Sequence, residues 1–83
     1  MTITAEQARG MVVGSVRRSV PDADLENVSV DADLQRTYEL DSLDFLGFVE
    51  LLSKESGVRI DEDDYPELAT MATCIRFLGR RST

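Results

Sequence analysis

The tetrad Asp41-Ser42-Leu43-Asp44 holds the residue best placed to carry chemistry. It sits where a polar stretch gives way to an apolar segment with helical spacing. If that segment starts a helix, Ser42 lies in the first turn, with its hydroxyl outside the core and beside N–H groups that lack helical acceptors. The helix dipole adds positive charge there, so a phosphate on this oxygen gains ~0.3–1 kcal/mol. Ser42 is thus suited to bear a covalently attached anionic group.

The remaining side chains exclude most alternatives. The chain has no histidine, which removes Ser-His-Asp and Cys-His catalysis, His-containing zinc sites and the usual proton shuttle at neutral pH. Ser42 therefore has no base of its own to activate it, and modification would need a second protein. The single cysteine, Cys74, cannot form an internal disulfide. It shares an apolar helical face with Met71 and Leu78 and reads as a buried small hydrophobe. A calcium loop beginning at Asp31 would need glycine at its sixth place and glutamate at its twelfth. Arg36 and Ser42 stand there, so that reading fails, and no metal site is expected. The acidic run Asp61–Asp64 reads as a solvated helix start. No enzyme is expected.

Eighty-three residues make one domain, 1–83. A chain this short buries only ~60% of the surface it exposes when unfolded, so its core is modest. The net charge of −7 is unevenly spread. Residues 22–67 hold fifteen acids against Arg36, Lys54 and Arg59. The ends hold six arginines against Glu6. The acidic middle repels nucleic acid and steers basic protein surfaces toward itself. No apolar run has the length of a membrane span, and the N-terminus lacks a signal-peptide pattern, so a cytoplasmic protein without membrane insertion is expected.

The elements that must position Ser42 follow from periodicity. Thr4 and Gln7 form a capping box flanked by Ile3 and Ala8, and Met11, Val12 and Val16 continue one apolar face, predicting a helix over 5–19. Pro21 ends it. A long connection, 20–40, follows, with Leu25, Val28, Val30 and Leu34 available to pin it to the core. The second helix, about 42–55, has Asp41 as N-cap, a broad apolar set from Leu43 to Leu52, and Gly57 at its left-handed end. Pro66 restricts the third to a short or 3₁₀ element with the proline near its first turn. Thr70 caps the fourth, about 71–79, and Gly79 suits the position after its end. No segment alternates with a period of two. The expected fold is an all-α four-helix bundle of three longer helices and one short third helix.

With these elements in place, the chain resembles the acyl carrier protein family along nearly its full length. The resemblance is carried by Leu40-Asp41-Ser42-Leu43-Asp44, Phe48-Val49-Glu50-Leu51-Leu52, Gly57-Val58-Arg59-Ile60, and the closing Leu68-Ala69-Thr70-Met71 and Ile75-Arg76-Phe77-Leu78. It implies that Ser42, flanked by Asp41 and Leu43, takes 4′-phosphopantetheine from coenzyme A. The arm's thiol would hold an acyl or aminoacyl group as a thioester, in fatty acid or secondary metabolite biosynthesis. Implied partners are a phosphopantetheinyl transferase, a loading ligase, and downstream transferases or synthases. Leu43, Asp44 and Glu50 would form the docking face, with core packing as the alternative role of Leu43. A carrier presenting this face to each partner in turn is expected to be a monomer.

Four positions depart from the family pattern. Glu39 replaces a small residue, Gly47 an acid, and Ser56 an aromatic, while Pro66 alters the short third helix. Phe45 and Phe48 are expected to crowd the interior and favour short or polar cargo. The segments Asp41–Leu46 and Asp64–Thr70 also resemble specialised stand-alone carriers, some of them aminoacyl carriers. The competing reading is an acidic docking module of the same fold that is never modified.

Overall fold

Thr4 opens the first helix as its spacing to Gln7 predicts. In the computed structural model, which describes residues 2–25 and 28–82, the Thr4 hydroxyl accepts the N–H of Gln7 at 3.1 Å. The Gln7 side chain accepts the N–H of Thr4 in return, at 3.0 Å. Helix α1 spans Ala5–Ser19, α2 Leu34–Thr37, α3 Ser42–Ser56 and α4 Met71–Arg81. A 3₁₀ segment, Glu62–Leu68, lies between α3 and α4. Helix α1 packs against both α3 and α4, and the 3₁₀ segment packs on α4. Val12, Val16, Phe48, Leu52, Leu68, Met71, Phe77 and Leu78 form the buried centre. The bundle is all-α, as its periodicity predicts.

The 20–40 connection contains a helix that the sequence did not reveal. Asp33 caps α2 by accepting the N–H of Arg36 at 2.9 Å. Four residues are too few for a hydrophobic period to show. Leu25 and Leu34 are buried and Val28 packs against the core, as expected of anchors. Val30 is not an anchor by its side chain, which is 46% exposed. Its carbonyl serves instead, accepting the N–H of Ala72 at 2.9 Å. With the Leu34 N–H donated to Ala69 at 2.7 Å, the connection is tied to the start of α4 through backbone groups.

Three further expectations are corrected. Pro66 is the fifth of seven residues in the 3₁₀ segment, not in its first turn. In an α-helix its ring would strike the carbonyl four residues back; the tighter winding avoids this, and exposed Asp63 can offer its carbonyl to water. Gly79 does not end α4, which continues to Arg81 with Ser82 as its C-cap. The Ser82 hydroxyl accepts the N–H of Ile3 at 2.8 Å and donates to the Gly79 carbonyl at 3.1 Å, so a side chain closes the helix instead of a left-handed glycine. Within the acidic run, Asp64 is buried and not solvated. It accepts the Asp61 N–H at 3.0 Å and pairs with Arg81 at 2.8 Å, joining the 3₁₀ segment to α4. Glu67 and Arg80 form a second pair between the same elements.

Candidate functional site

The path of the chain into Ser42 is set by how α2 ends. Glu39 is in the left-handed region at φ 52°, and the Leu40 N–H reaches back to the Gln35 carbonyl at 2.8 Å. The Glu39 N–H donates to the Arg36 carbonyl at 3.3 Å. These two bonds form a Schellman closure with Glu39 at the position that glycine usually takes. Leu40, the next residue, is buried beside the core. The turn therefore delivers Asp41 to the mouth of α3 with little freedom.

The departure at Glu39 thus has an energetic consequence. A side chain in the left-handed region costs about 1–2 kcal/mol, while glycine adds back roughly 0.5–1 kcal/mol of chain entropy. Glu39→Gly is expected to stabilise the fold by about 0.5–1 kcal/mol, raising the melting temperature by ~2–8 °C. Glu39→Val should lower it, because a β-branched residue tolerates this region least. Thermal denaturation followed by circular dichroism checks both, and a lower melting temperature for the glycine variant would show that the turn is unstrained.

Asp41 and Asp44 then close the start of α3. Asp41 Oδ1 accepts the Asp44 N–H at 2.8 Å, and Asp44 Oδ2 accepts the Asp41 N–H at 3.4 Å. The Asp41 carbonyl starts the helical ladder by accepting the Phe45 N–H at 2.9 Å. Ser42 is the first helical residue and is exposed. The N–H groups of Ser42 and Leu43 fall in the turn that has no intrahelical acceptors, so they remain available to an anion on the serine oxygen. An uncapped start would leave the Asp44 N–H competing for that anion. The box removes it and makes the first turn rigid.

The structure sorts the residues expected to dock partners. Leu43 is 79% exposed, which excludes the core-packing alternative for it. Leu46, one turn on, is 42% exposed and extends the apolar strip. Sequence periodicity had absorbed Leu46 into the broad apolar face, because a helix this apolar does not mark its outer edge. Glu50 is exposed two turns from Leu43. Asp44 is half-buried and has a structural duty in the capping box. Gly47 faces α1, where a Cβ would lie 4.0 Å from the Ser19 hydroxyl.

Beyond the serine, α3 and the 3₁₀ segment enclose little space. Phe48 is fully buried, and Phe45 stacks edge-on against Tyr65 with ring centroids 5.4 Å apart. What remains is a groove of about 350 Å³ lined by Leu46, Val49, Ile60 and Tyr65 on its apolar side. Glu50, Ser53 and Lys54 form its polar side.

Residues 15–78 match the family model described as the phosphopantetheine attachment site. The chain belongs to that family. It is a phosphopantetheine carrier of the acyl carrier type, and 4′-phosphopantetheine is the group this family holds covalently. The exposed serine on a capped helix start fits a phosphodiester. Carrier domains of this family are non-catalytic, are modified by a phosphopantetheinyl transferase and meet biosynthetic enzymes. No curated protein and no solved structure matches the chain. Among the described residues, no helix is long and apolar enough to cross a membrane, and no group of acids and thiols could hold a metal ion.

Cys74 matters to a protein whose working thiol lies on an arm. It is buried on α4, and burial pushes its thiol from 9.0 up to about 12. At pH 8 the thiolate, the reactive form, is therefore scarce on the folded carrier. Ellman's reagent should find no fast-reacting thiol in the folded carrier without its arm and one after phosphopantetheinylation. The native state keeps a proton that the unfolded state loses above its ordinary value. This contribution to stability is full below about pH 9 and falls as pH rises toward 12. Cys74→Ala should show a flatter decline in stability over that window, measured by urea denaturation.

Proposed function

We propose that Ser42 is the attachment point and that the carrier presents short acyl or aminoacyl groups to partner enzymes. The observation that carries this reading is the exposed Ser42 at the first position of α3, beside free N–H groups and behind the Asp41–Asp44 box. In the loading step the serine oxygen forms a bond to the nearer phosphorus of coenzyme A's pyrophosphate. The bond to the adenosine bisphosphate half breaks, and the serine proton passes to a base supplied by the transferase. The arm then supplies a thiol for thioester chemistry. The chain's own residues hold the serine outward and offer Leu43, Leu46, Asp44 and Glu50 to partners.

Cargo length follows from what the bundle can enclose. Each methylene left in water forgoes ~0.8 kcal/mol relative to burial. A long saturated chain needs an enclosed apolar channel, whereas the Phe45–Tyr65 contact narrows the approach and the groove beyond is polar on one side. This supports short or polar cargo.

The test is to incubate the unmodified protein with coenzyme A, Mg²⁺ and a broad-specificity phosphopantetheinyl transferase, then sequence its tryptic peptides by mass spectrometry. One phosphopantetheine on Ser42 of the peptide 37–54 is expected. A folded protein that stays unmodified with several transferases would favour the unmodified docking module, and modification at another residue would overturn Ser42 as the attachment point.

A further inference from the structure

The 3₁₀ segment that walls the α3 groove is fastened from behind, by the last turn of α4. Asp64 in that segment is only 6% exposed. One of its carboxylate oxygens accepts the Asp61 N–H at 3.0 Å, and the other takes the Arg81 guanidinium at 2.8 Å. Arg81 is itself held, since its guanidinium lies over the buried Phe77 ring, 5.0 Å from the centroid. Glu67 and Arg80 tie the other end of the segment to the same helix. Between the two ties stands Tyr65, which lines the groove and leans edge-on against Phe45 of α3. The end of α4 is fixed as well, because the Ser82 hydroxyl accepts the Ile3 N–H at 2.8 Å. One set of contacts thus runs from the chain ends to the wall of the groove.

The two ties are unequal. Arg80 and Glu67 are both solvated, and pairs of that kind hold little. Asp64 is buried, so losing Arg81 would leave its carboxylate out of water with most of its charge uncompensated. The segment relieves that cost by swinging outward, and Tyr65 goes with it. We propose that Arg81 is a positioning residue for cargo selection: through Asp64 it holds Tyr65 against Phe45 and keeps long acyl chains out of the bundle. The inference rests on Ser42 as attachment point and on short cargo, and it gives the length limit a cause outside the groove. Arg81 does not line the groove, so the cargo never touches the residue that limits it.

Two coenzyme A analogues test this, with arms ending in an acetyl or an octanoyl group through a hydrolysis-resistant amide. Intact mass after transferase treatment confirms each loading first, so a failure there counts against Ser42 and not against Arg81. The readout is the difference in melting temperature between the octanoyl and acetyl forms of one protein, from which a general loss of stability cancels. In the wild type the two forms should melt together. In Arg81→Gln, which keeps the stem over Phe77 and loses the charge, the octanoyl form should melt higher by at least ~4 °C. Its octanoyl arm should also shift the amide NMR signals of Ile60 and Tyr65 more than its acetyl arm does. Asp64→Asn breaks the same tie without burying a bare charge, so it gives the same sign and covers a failure of Arg81→Gln to fold. Arg76→Gln, at an exposed arginine of the same helix, should behave as wild type. No difference in Arg81→Gln and Asp64→Asn, or one that Arg76→Gln reproduces, would overturn the proposal. A higher-melting octanoyl form of the wild type would overturn short cargo, and with it the limit assigned to Arg81.

Discussion

Ser42→Ala is expected to lose phosphopantetheine loading entirely while keeping its fold. Among the described residues, Ser42 alone combines a hydroxyl, exposure and the first position of a capped helix. The substitution removes the only oxygen able to form the phosphodiester there. It leaves the cap intact, since Asp41 and not Ser42 accepts the Asp44 N–H. Alanine is also the strongest helix former, so the change in stability should stay within about 0.5 kcal/mol. Intact mass after transferase treatment reads the first effect, and circular dichroism melting reads the second. Loading of the variant at the wild-type rate would move the attachment point elsewhere. Asp41→Ala separates the two roles: it keeps the oxygen but gives up a cap worth ~1 kcal/mol.

Phe48→Ala should have the largest effect on stability. Phe48 is fully buried in the centre of the core, with the Phe45 ring 6.0 Å away. Truncating a buried phenylalanine typically costs 3–5 kcal/mol, through lost transfer energy and the cavity left behind. At ~0.05–0.15 kcal/mol per residue, a chain of this length has only about 4–12 kcal/mol in total. The melting temperature should fall by ~15–30 °C, and much of the variant would be unfolded at 37 °C. Phe48→Leu keeps most of the volume and should cost under about 1.5 kcal/mol. A melting temperature within a few degrees of wild type for Phe48→Ala would mean that α3 is not held by this ring. Loading should drop in parallel with folded population, because the start of α3 presents Ser42 only when the helix is docked.

Helix starts were legible because capping is a local affair. Thr4 with Gln7, Asp41 with Asp44, and Thr70 with Thr73 are pairs three residues apart, and each closes as a box. Gly57 takes the left-handed position that ends α3, as its place after the apolar run predicts. Helix ends that rely on distant groups were not legible. α4 runs past Gly79 because Ser82 bonds to Ile3, a partner 79 residues away. Asp64 looked like one more solvated acid until the fold brought Arg81, seventeen residues later, within 2.8 Å.

The candidate site divides along the same line. Ser42, its cap and its acidic neighbours could be read directly, since a serine at a helix start needs only its own few residues to define its chemistry. The left-handed turn at Glu39 could not, because a glutamate carries no local preference for that backbone; the α2 closure and the burial of Leu40 impose it. The exposure of Leu43 and Leu46 was likewise undecided, since an apolar residue on a helix reads the same whether a neighbour covers it or not. Only packing decides which stripe α1 and the 3₁₀ segment bury. The sequence alone thus determined that a serine opens a capped helix, the place proposed for the arm, and that the fold is a helical bundle, both set by contacts a few residues apart. The tertiary structure decided which face of α3 stays exposed, because that depends on elements joined only by folding.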